Sequence, residues 1–205
     1  MTTTLSFLAA AACGYLLGSA NTSLIVSRFC DTDVRAHGSG NAGATNTLRV
    51  LGKTAAVITT VGDIAKGVVA FLVGRFLLRD SPSLAALGGL AAGFGAIVGH
   101  NWPLYFQFRG GKGIWTSFAV ALSFDWRIGL ALLSAFAVVF ALSRMVSLAA
   151  IVAAVLSPVI VWLSGGGPVA TGVFFVLAVL AVVRHRSNIR RILEGRESQI
   201  GEKKT

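Results

Sequence analysis

Charge is scarce in this sequence. Only 13% of its 205 residues are Asp, Glu, Lys or Arg, about half the share usual for a water-soluble domain. Hydrophobic residues make up 55%, and the mean hydropathy is +0.76. A disordered chain needs the reverse, low hydrophobicity with high charge, so disorder is excluded. Acidic residues are scarcer still, 8 against 18 Lys and Arg. Cysteine is limited to Cys13 and Cys30, which cannot make a disulfide framework. No Cys-x-x-Cys or His-x-x-His pair offers a transition-metal site, and no metal or cofactor is expected. Glycine is the exception to this poverty. Its 24 copies would weaken helices in water, but glycine is common in membrane helices. The composition is that of an integral membrane protein.

Crossing the hydrocarbon core takes about 20 apolar residues. Seven candidate spans follow one another: Leu5–Val26, Thr54–Leu78, Leu84–Gly99, Ile114–Phe124, Ile128–Leu142, Val146–Leu163 and Val169–Val183. The first has no Lys or Arg before it and so lacks the charged start of a signal peptide. The fourth reaches span length only if it begins in the preceding loop. The second carries Asp63 and Lys66, which share one helix face and either pair or approach a ligand. The third is rich in glycine (Gly88, Gly89, Gly93, Gly95, Gly99), which suits close helix packing or a groove for a lipid chain.

Fourteen of the 18 basic residues gather in Arg28–Lys53, in Arg109–Lys112, at Arg144 and in the tail from Arg184. Arg75, Arg79 and Arg127 fall on the opposite side, and Lys66 lies within a span. The positive-inside rule then places the N-terminus outside and the C-terminus in the cytoplasm. It also accounts for the net charge of +10 without a nucleic-acid partner. The expected fold is an all-α polytopic membrane protein, one domain over residues 1–205. It has seven transmembrane helices and three cytoplasmic polar motifs forming one site.

The first motif is His37-Gly38-Ser39-Gly40-Asn41-Ala42-Gly43-Ala44-Thr45-Asn46, followed by Arg49 and Lys53. Glycines let a backbone approach a ligand closely, and successive N–H groups form anion-binding nests. Arg49 adds a planar fork suited to phosphate. Gly38-x-Gly40-x-x-Gly43 matches a dinucleotide fingerprint in letters only, because it follows a membrane helix and not a strand. The second motif is Gly99-His100-Asn101-Trp102-Pro103 with Arg109-Gly110-Gly111-Lys112-Gly113. Gly-Gly-Lys-Gly opening a helix combines free N–H groups, a favourable dipole end and a mobile ammonium. His100 caps, satisfies the core or takes part in chemistry, while Trp102, Tyr105, Phe106 and Phe108 read as an interfacial belt. The third motif is Arg184-His185-Arg186-Ser187-Asn188-Ile189-Arg190-Arg191, then Glu194, Gly195, Arg196 and Glu197. A lipid anchor explains its arginines but not His185, Asn188 or Glu197.

These stretches, with Gly62-Asp63-x-x-Lys66-Gly67, occur in the order found in the acyl-phosphate-dependent glycerol-3-phosphate acyltransferases of bacteria (the PlsY type), which the chain resembles from Leu17 to Glu197. Asn21-Thr22-Ser23 is less typical of that family, and Asp31-Thr32-Asp33 slightly lengthens the entry to the first motif. The resemblance implies seven transmembrane helices in the bacterial inner membrane, with the site facing the cytoplasm. It implies transfer of a fatty acyl group from acyl phosphate to the 1-position of glycerol 3-phosphate. Lysophosphatidate and phosphate would be the products, in the first step of bacterial phospholipid synthesis. The partners implied are acyl phosphate, glycerol 3-phosphate and membrane lipid; the sequence carries no sign of oligomeric state. The family does not use the His-x4-Asp motif of other acyltransferases. Here the fifth residues after His37, His100 and His185 are Ala42, Tyr105 and Arg190.

On this reading Ser39, Arg49, Lys112, His185, Asn188 and Glu197 are catalytic. Gly38, Gly40, Asn41, Thr45, Asn46, Lys53, His100, Gly110, Gly111 and Gly113 bind substrate. Acyl phosphate is already activated, so the protein must chiefly hold two mutually repelling anions together. Three routes for the hydroxyl proton remain open: Ser39 as a nucleophile with a partner base, His185 as general base, or the acyl phosphate itself as acceptor. The rival class is a small anion transporter. The near absence of polar residues from the last three spans argues against it.

Overall fold

A computed structural model of the protein describes residues 2–201. Lys203 and Lys204, counted above with the basic tail, lie outside the described residues. Among the described residues every regular element is helical. The chain divides into two compact units, Met1–Phe124 and Asp125–Thr205.

The first unit holds α1 (Thr3–Ser19), α2 (Thr22–Phe29), α3 (Ala44–Leu77), α4 (Pro82–Asn101) and α5 (Ile114–Phe124), with single 3-10 turns at Val34–Ala36 and Leu104–Phe106. Helix α4 packs against α1, α3 and α5. Its glycines explain how. A Cβ at Gly95 or Gly99 would overlap the carbonyl oxygens of Ala11 or Tyr15 in α1. Gly14 and Gly18 of α1 press in return on the carbonyls of Ala92 and Ala96. Gly74 of α3 and Gly88 of α4 meet backbone to backbone, while Gly89 and Gly93 receive Phe71 and Val120. Small residues thus let the helix backbones touch, as membrane helices require in the absence of a hydrophobic drive between them. Of the two uses expected for the α4 glycines, packing takes all five, and none is left to line a groove.

Among the described residues, six stretches are long and apolar enough to cross a membrane: Thr3–Phe29, Ala44–Leu77, Pro82–Phe106, Trp126–Ser143, Val146–Leu163 and Gly167–Arg184. Helix α5 keeps only 11 residues, which at about 1.5 Å each falls well short of the hydrocarbon core. The expected span Leu5–Val26 is broken at Ala20 and Asn21, because the Asn21 side chain accepts the Leu24 N–H and starts a new helix. The expected span Thr54–Leu78 begins instead at Ala44, so the last three residues of the first motif, and Arg49 after them, are helical. Gly52, at φ +84° and ψ −173°, kinks α3 between Arg49 and Lys53 in a region open essentially only to glycine.

The second unit runs α6 (Trp126–Ser143), α7 (Val146–Leu163), α8 (Gly167–Arg184) and α9 (Arg186–Leu193). Helix α7 packs on both α6 and α8, and short α9 rests on α7 and α8.

Candidate active site

The first motif is braced from within. Asn46, 1% exposed, donates through Nδ2 to the carbonyls of Val34 (2.7 Å) and His37 (3.1 Å), and its Oδ1 accepts the Ser39 N–H at 2.8 Å. Expected to bind substrate, Asn46 spends these bonds holding Ser39 in place. Gly38 turns at φ +61° directly over the Asn46 amide, where a Cβ would collide with Oδ1. Ser39, Gly40, Arg49 and Lys53 are exposed; Asn41 and Thr45 are half-buried. Arg49 and Lys53 flank the Gly52 kink. Thr47 shares a 2.8 Å hydroxyl bond with Ser23 of α2.

The second motif is folded back on the end of α4. Gly110 N–H donates to Asn101 O (3.2 Å), and Gly111 N–H donates to His100 O (3.1 Å). A Cβ on Gly110 would overlap His100 O, and one on Gly111 would overlap both the His100 ring and Ala42 O. Only glycine fits this approach, which carries Lys112, half-buried, to the start of α5. Gly113 continues it at φ +72°. The aromatic belt divides: Trp102, Tyr105 and Phe108 are exposed, whereas Phe106 is buried with Leu24, Val34 and Ala42. The Arg28 guanidinium lies 4.9 Å above the Phe106 ring centroid.

Two side chains tie the first and second motifs together. Asn21 Nδ2 bridges Ala42 O (3.5 Å) and His100 O (3.4 Å), and the residue is wholly buried. Arg35 Nη1 reaches the carbonyls of Phe106 (3.3 Å) and Arg109 (3.4 Å). Its Nη2 pairs with Asp33 at 2.8 Å, and this guanidinium holds the Asp33 carboxyl below the usual carboxylate range. Neither residue was expected at the site. Asn21 stood out in the sequence only as atypical, and Arg35 only as one of many basic residues. A bond made across 70 or so residues leaves no local pattern to read.

In the second unit, Glu197 gathers the third motif. Its Oε1 accepts Ser147 Oγ and Asn188 Nδ2, both at 2.6 Å, and its Oε2 accepts Arg191 Nε at 2.7 Å. Burial pushes the Glu197 carboxyl up, but the Ser147, Asn188 and Arg191 bonds outweigh it and hold the group below the usual range. Glu197 is therefore an ionised anchor that orients the Asn188 amide. His185, 2% exposed, has Nδ1 2.7 Å from Ala181 O. That carbonyl can only accept, so in the neutral ring the proton sits on Nδ1 and Nε2 is an acceptor. Nothing in the sequence singles out Ser147 as a partner.

Among the described residues no group of three or more His, Cys, Asp or Glu is placed to hold a metal ion. What the first unit assembles is cationic, with Arg49, Lys53 and Lys112 on segments that internal backbone bonds hold in place, a chemistry for binding phosphate and stabilising developing negative charge.

Residues 8–195 match the family model described as glycerol-3-phosphate acyltransferase. The chain is 44% identical to the glycerol-3-phosphate acyltransferase of Methylococcus capsulatus over 191 residues, covering 93% of this chain and 94% of that one. It is 40% identical to the enzyme of the same name from Clostridioides difficile, covering 97% and 98%. Among solved structures, it superposes with a TM-score of 0.87 on the glycerol 3-phosphate form of PlsY, an integral membrane glycerol 3-phosphate acyltransferase. That chain is 31% identical, with 96% of each covered. The lysophosphatidic acid form of PlsY gives 0.85.

Proposed function

The chain belongs to the glycerol-3-phosphate acyltransferase family, and from that premise we propose that it transfers a fatty acyl group from acyl phosphate to the 1-hydroxyl of glycerol 3-phosphate. Lysophosphatidate and inorganic phosphate leave, and the two units act as one acyltransferase domain. One observation carries the reading: Asn21 and Arg35 clamp the Ser39–Arg49 segment to the Gly-Gly-Lys loop, so that two phosphate-binding elements are held side by side. The chain lies in a bacterial inner membrane with seven transmembrane helices. Its N-terminus is outside and the polar motifs face the cytoplasm. The fourth crossing is helix α5 extended by the Arg109–Gly113 approach.

In the proposed reaction the 1-hydroxyl oxygen attacks the acyl carbonyl carbon, the bond from that carbon to the phosphate oxygen breaks, and phosphate departs with the electron pair. The hydroxyl proton passes to the phosphate of the acyl donor, so no acyl-enzyme forms. Arg49 and Lys112, with Lys53 nearby in sequence, neutralise the two anions. At 4 Å two unit charges repel by about 1 kcal/mol in water and by several-fold more in a drier site. Orientation of the reactants supplies up to roughly 7–11 kcal/mol. The Ser39 hydroxyl donates to the developing oxyanion, a contact worth about 3 kcal/mol, and Asn188, oriented by Glu197, is a further catalytic group. Gly110, Gly111, Gly113 and His100 form the glycerol 3-phosphate loop, and Asn41, Thr45 and Asn46 shape the acyl phosphate side.

The test is to incubate purified protein in detergent with palmitoyl phosphate and glycerol 3-phosphate, without CoA or acyl carrier protein. Lysophosphatidate and phosphate should appear one for one. No product, together with anion flux in proteoliposomes, would favour the transporter instead.

A further inference from the structure

Three ionisable side chains lie buried together where α3 meets the end of α4. Asp63, Lys66 and His100 are 2%, 8% and 2% exposed. Lys66 Nζ is 2.9 Å from Asp63 Oδ1 and 2.8 Å from His100 Nδ1. His100 Nδ1 is 3.5 Å from the same carboxylate oxygen. An ammonium has donors only, so Nδ1 accepts from Lys66 and the imidazole proton sits on Nε2. One carboxylate, one ammonium and one neutral ring leave the cluster without net charge, which is how a buried ionic group survives desolvation.

Stability alone does not account for it. A buried ion pair replaced by apolar residues of similar volume is often neutral or stabilising. What the cluster does have is an output. The His100 ring lies so close beneath Gly111 that a Cβ there would overlap Nε2, and the His100 carbonyl accepts the Gly111 N–H. The next residue is Lys112. On the other side, Asn21 ties the same His100 carbonyl to Ala42 of the first motif.

We propose that Asp63, Lys66 and His100 form a positioning relay for the glycerol 3-phosphate loop. Asp63 fixes Lys66. Lys66 fixes the tautomer and plane of the His100 ring. The ring is the floor on which Gly111 rests, so that Lys112 meets the phosphate of glycerol 3-phosphate. None of the three need touch substrate. This assignment rests on the reaction proposed above, because it names the ligand of the loop.

The experiment uses the full chain in detergent and compares wild type with Lys66→Met and with the doubly neutral Asp63→Asn/Lys66→Met. Thermal unfolding, KM for each substrate, kcat and the imidazole 15N spectrum are measured, with His100 assigned by loss of its signal in His100→Gln. In wild type His100 should show the Nε2–H tautomer. In Lys66→Met that signature should change, and KM for glycerol 3-phosphate should rise at least about tenfold while KM for palmitoyl phosphate moves less than about twofold. A folded variant with unchanged KM for glycerol 3-phosphate would overturn the relay while leaving the reaction standing. Absence of lysophosphatidate from wild type would overturn both. Failure of both variants to fold would also overturn the relay, assigning the trio to stability.

Discussion

At the scale of single residues, charge and its partners decide function. Arg49 is exposed on the short helical stretch before Gly52 and is the planar cation of the first motif. Arg49→Ala should reduce turnover by at least about a hundredfold, since a lost transition-state contact of this kind costs about 2.7–4 kcal/mol. Arg144→Ala is the control. Arg144 is exposed at the C-terminus of α6, and the contact it makes with Ile200 is through its carbonyl, so activity should stay within about twofold of wild type. Initial rates in detergent check both. Glu197 gives a pH prediction. Its pKa in the folded chain is depressed by the Ser147, Asn188 and Arg191 bonds, so its stabilising effect is complete above the unfolded carboxylate's value of about 4.3 and is lost as pH falls through the lower folded value. The difference in melting temperature between wild type and Glu197→Ala should be flat at neutral pH and shrink below about pH 4. At neutral pH Glu197→Ala should also lower kcat more than it raises either KM, because Asn188 loses the group that orients it.

At the scale of elements, close approach and backbone conformation matter more than propensity. Gly95→Leu would drive a side chain into the Ala11 carbonyl and part α1 from α4. It should cost about 1–3 kcal/mol or more, read as a drop in thermal unfolding temperature. Gly52→Ala meets no neighbouring atom within 4 Å, so its effect is conformational alone: about 1–3 kcal/mol of strain, with turnover falling as Arg49 and Lys53 change their relative orientation. The helices themselves were legible in the sequence, because apolar runs of span length are a strong signal. Their ends were less so. The break at Asn21 depends on one capping bond, and the early start of α3 depends on a polar stretch, Ala44–Lys53, that hydropathy assigns to a loop. The sequence alone allows the α4 glycines either packing or a groove. Only the facing carbonyls of α1 decide it.

At the scale of the whole molecule, the sequence presented the three motifs as a list, and it named Ser39, Arg49, Lys112, His185, Asn188 and Glu197 from their chemistry and family resemblance. It missed the scaffold beneath them. Asn21, Arg35 and Ser147 act through contacts between segments far apart in the chain, and Asp63, Lys66 and His100 could be read only as a helix-face pair and a solitary histidine. In the proposed reaction, cationic, glycine-lined segments gather two phosphorylated molecules and let an energised acyl group pass directly between them. Rapid-quench mass spectrometry of a single turnover with palmitoyl phosphate tests this most directly. Lysophosphatidate and phosphate should rise together from the first time point with the protein mass unchanged. A palmitoylated protein carrying its adduct at Ser39, formed before any lysophosphatidate, would contradict it.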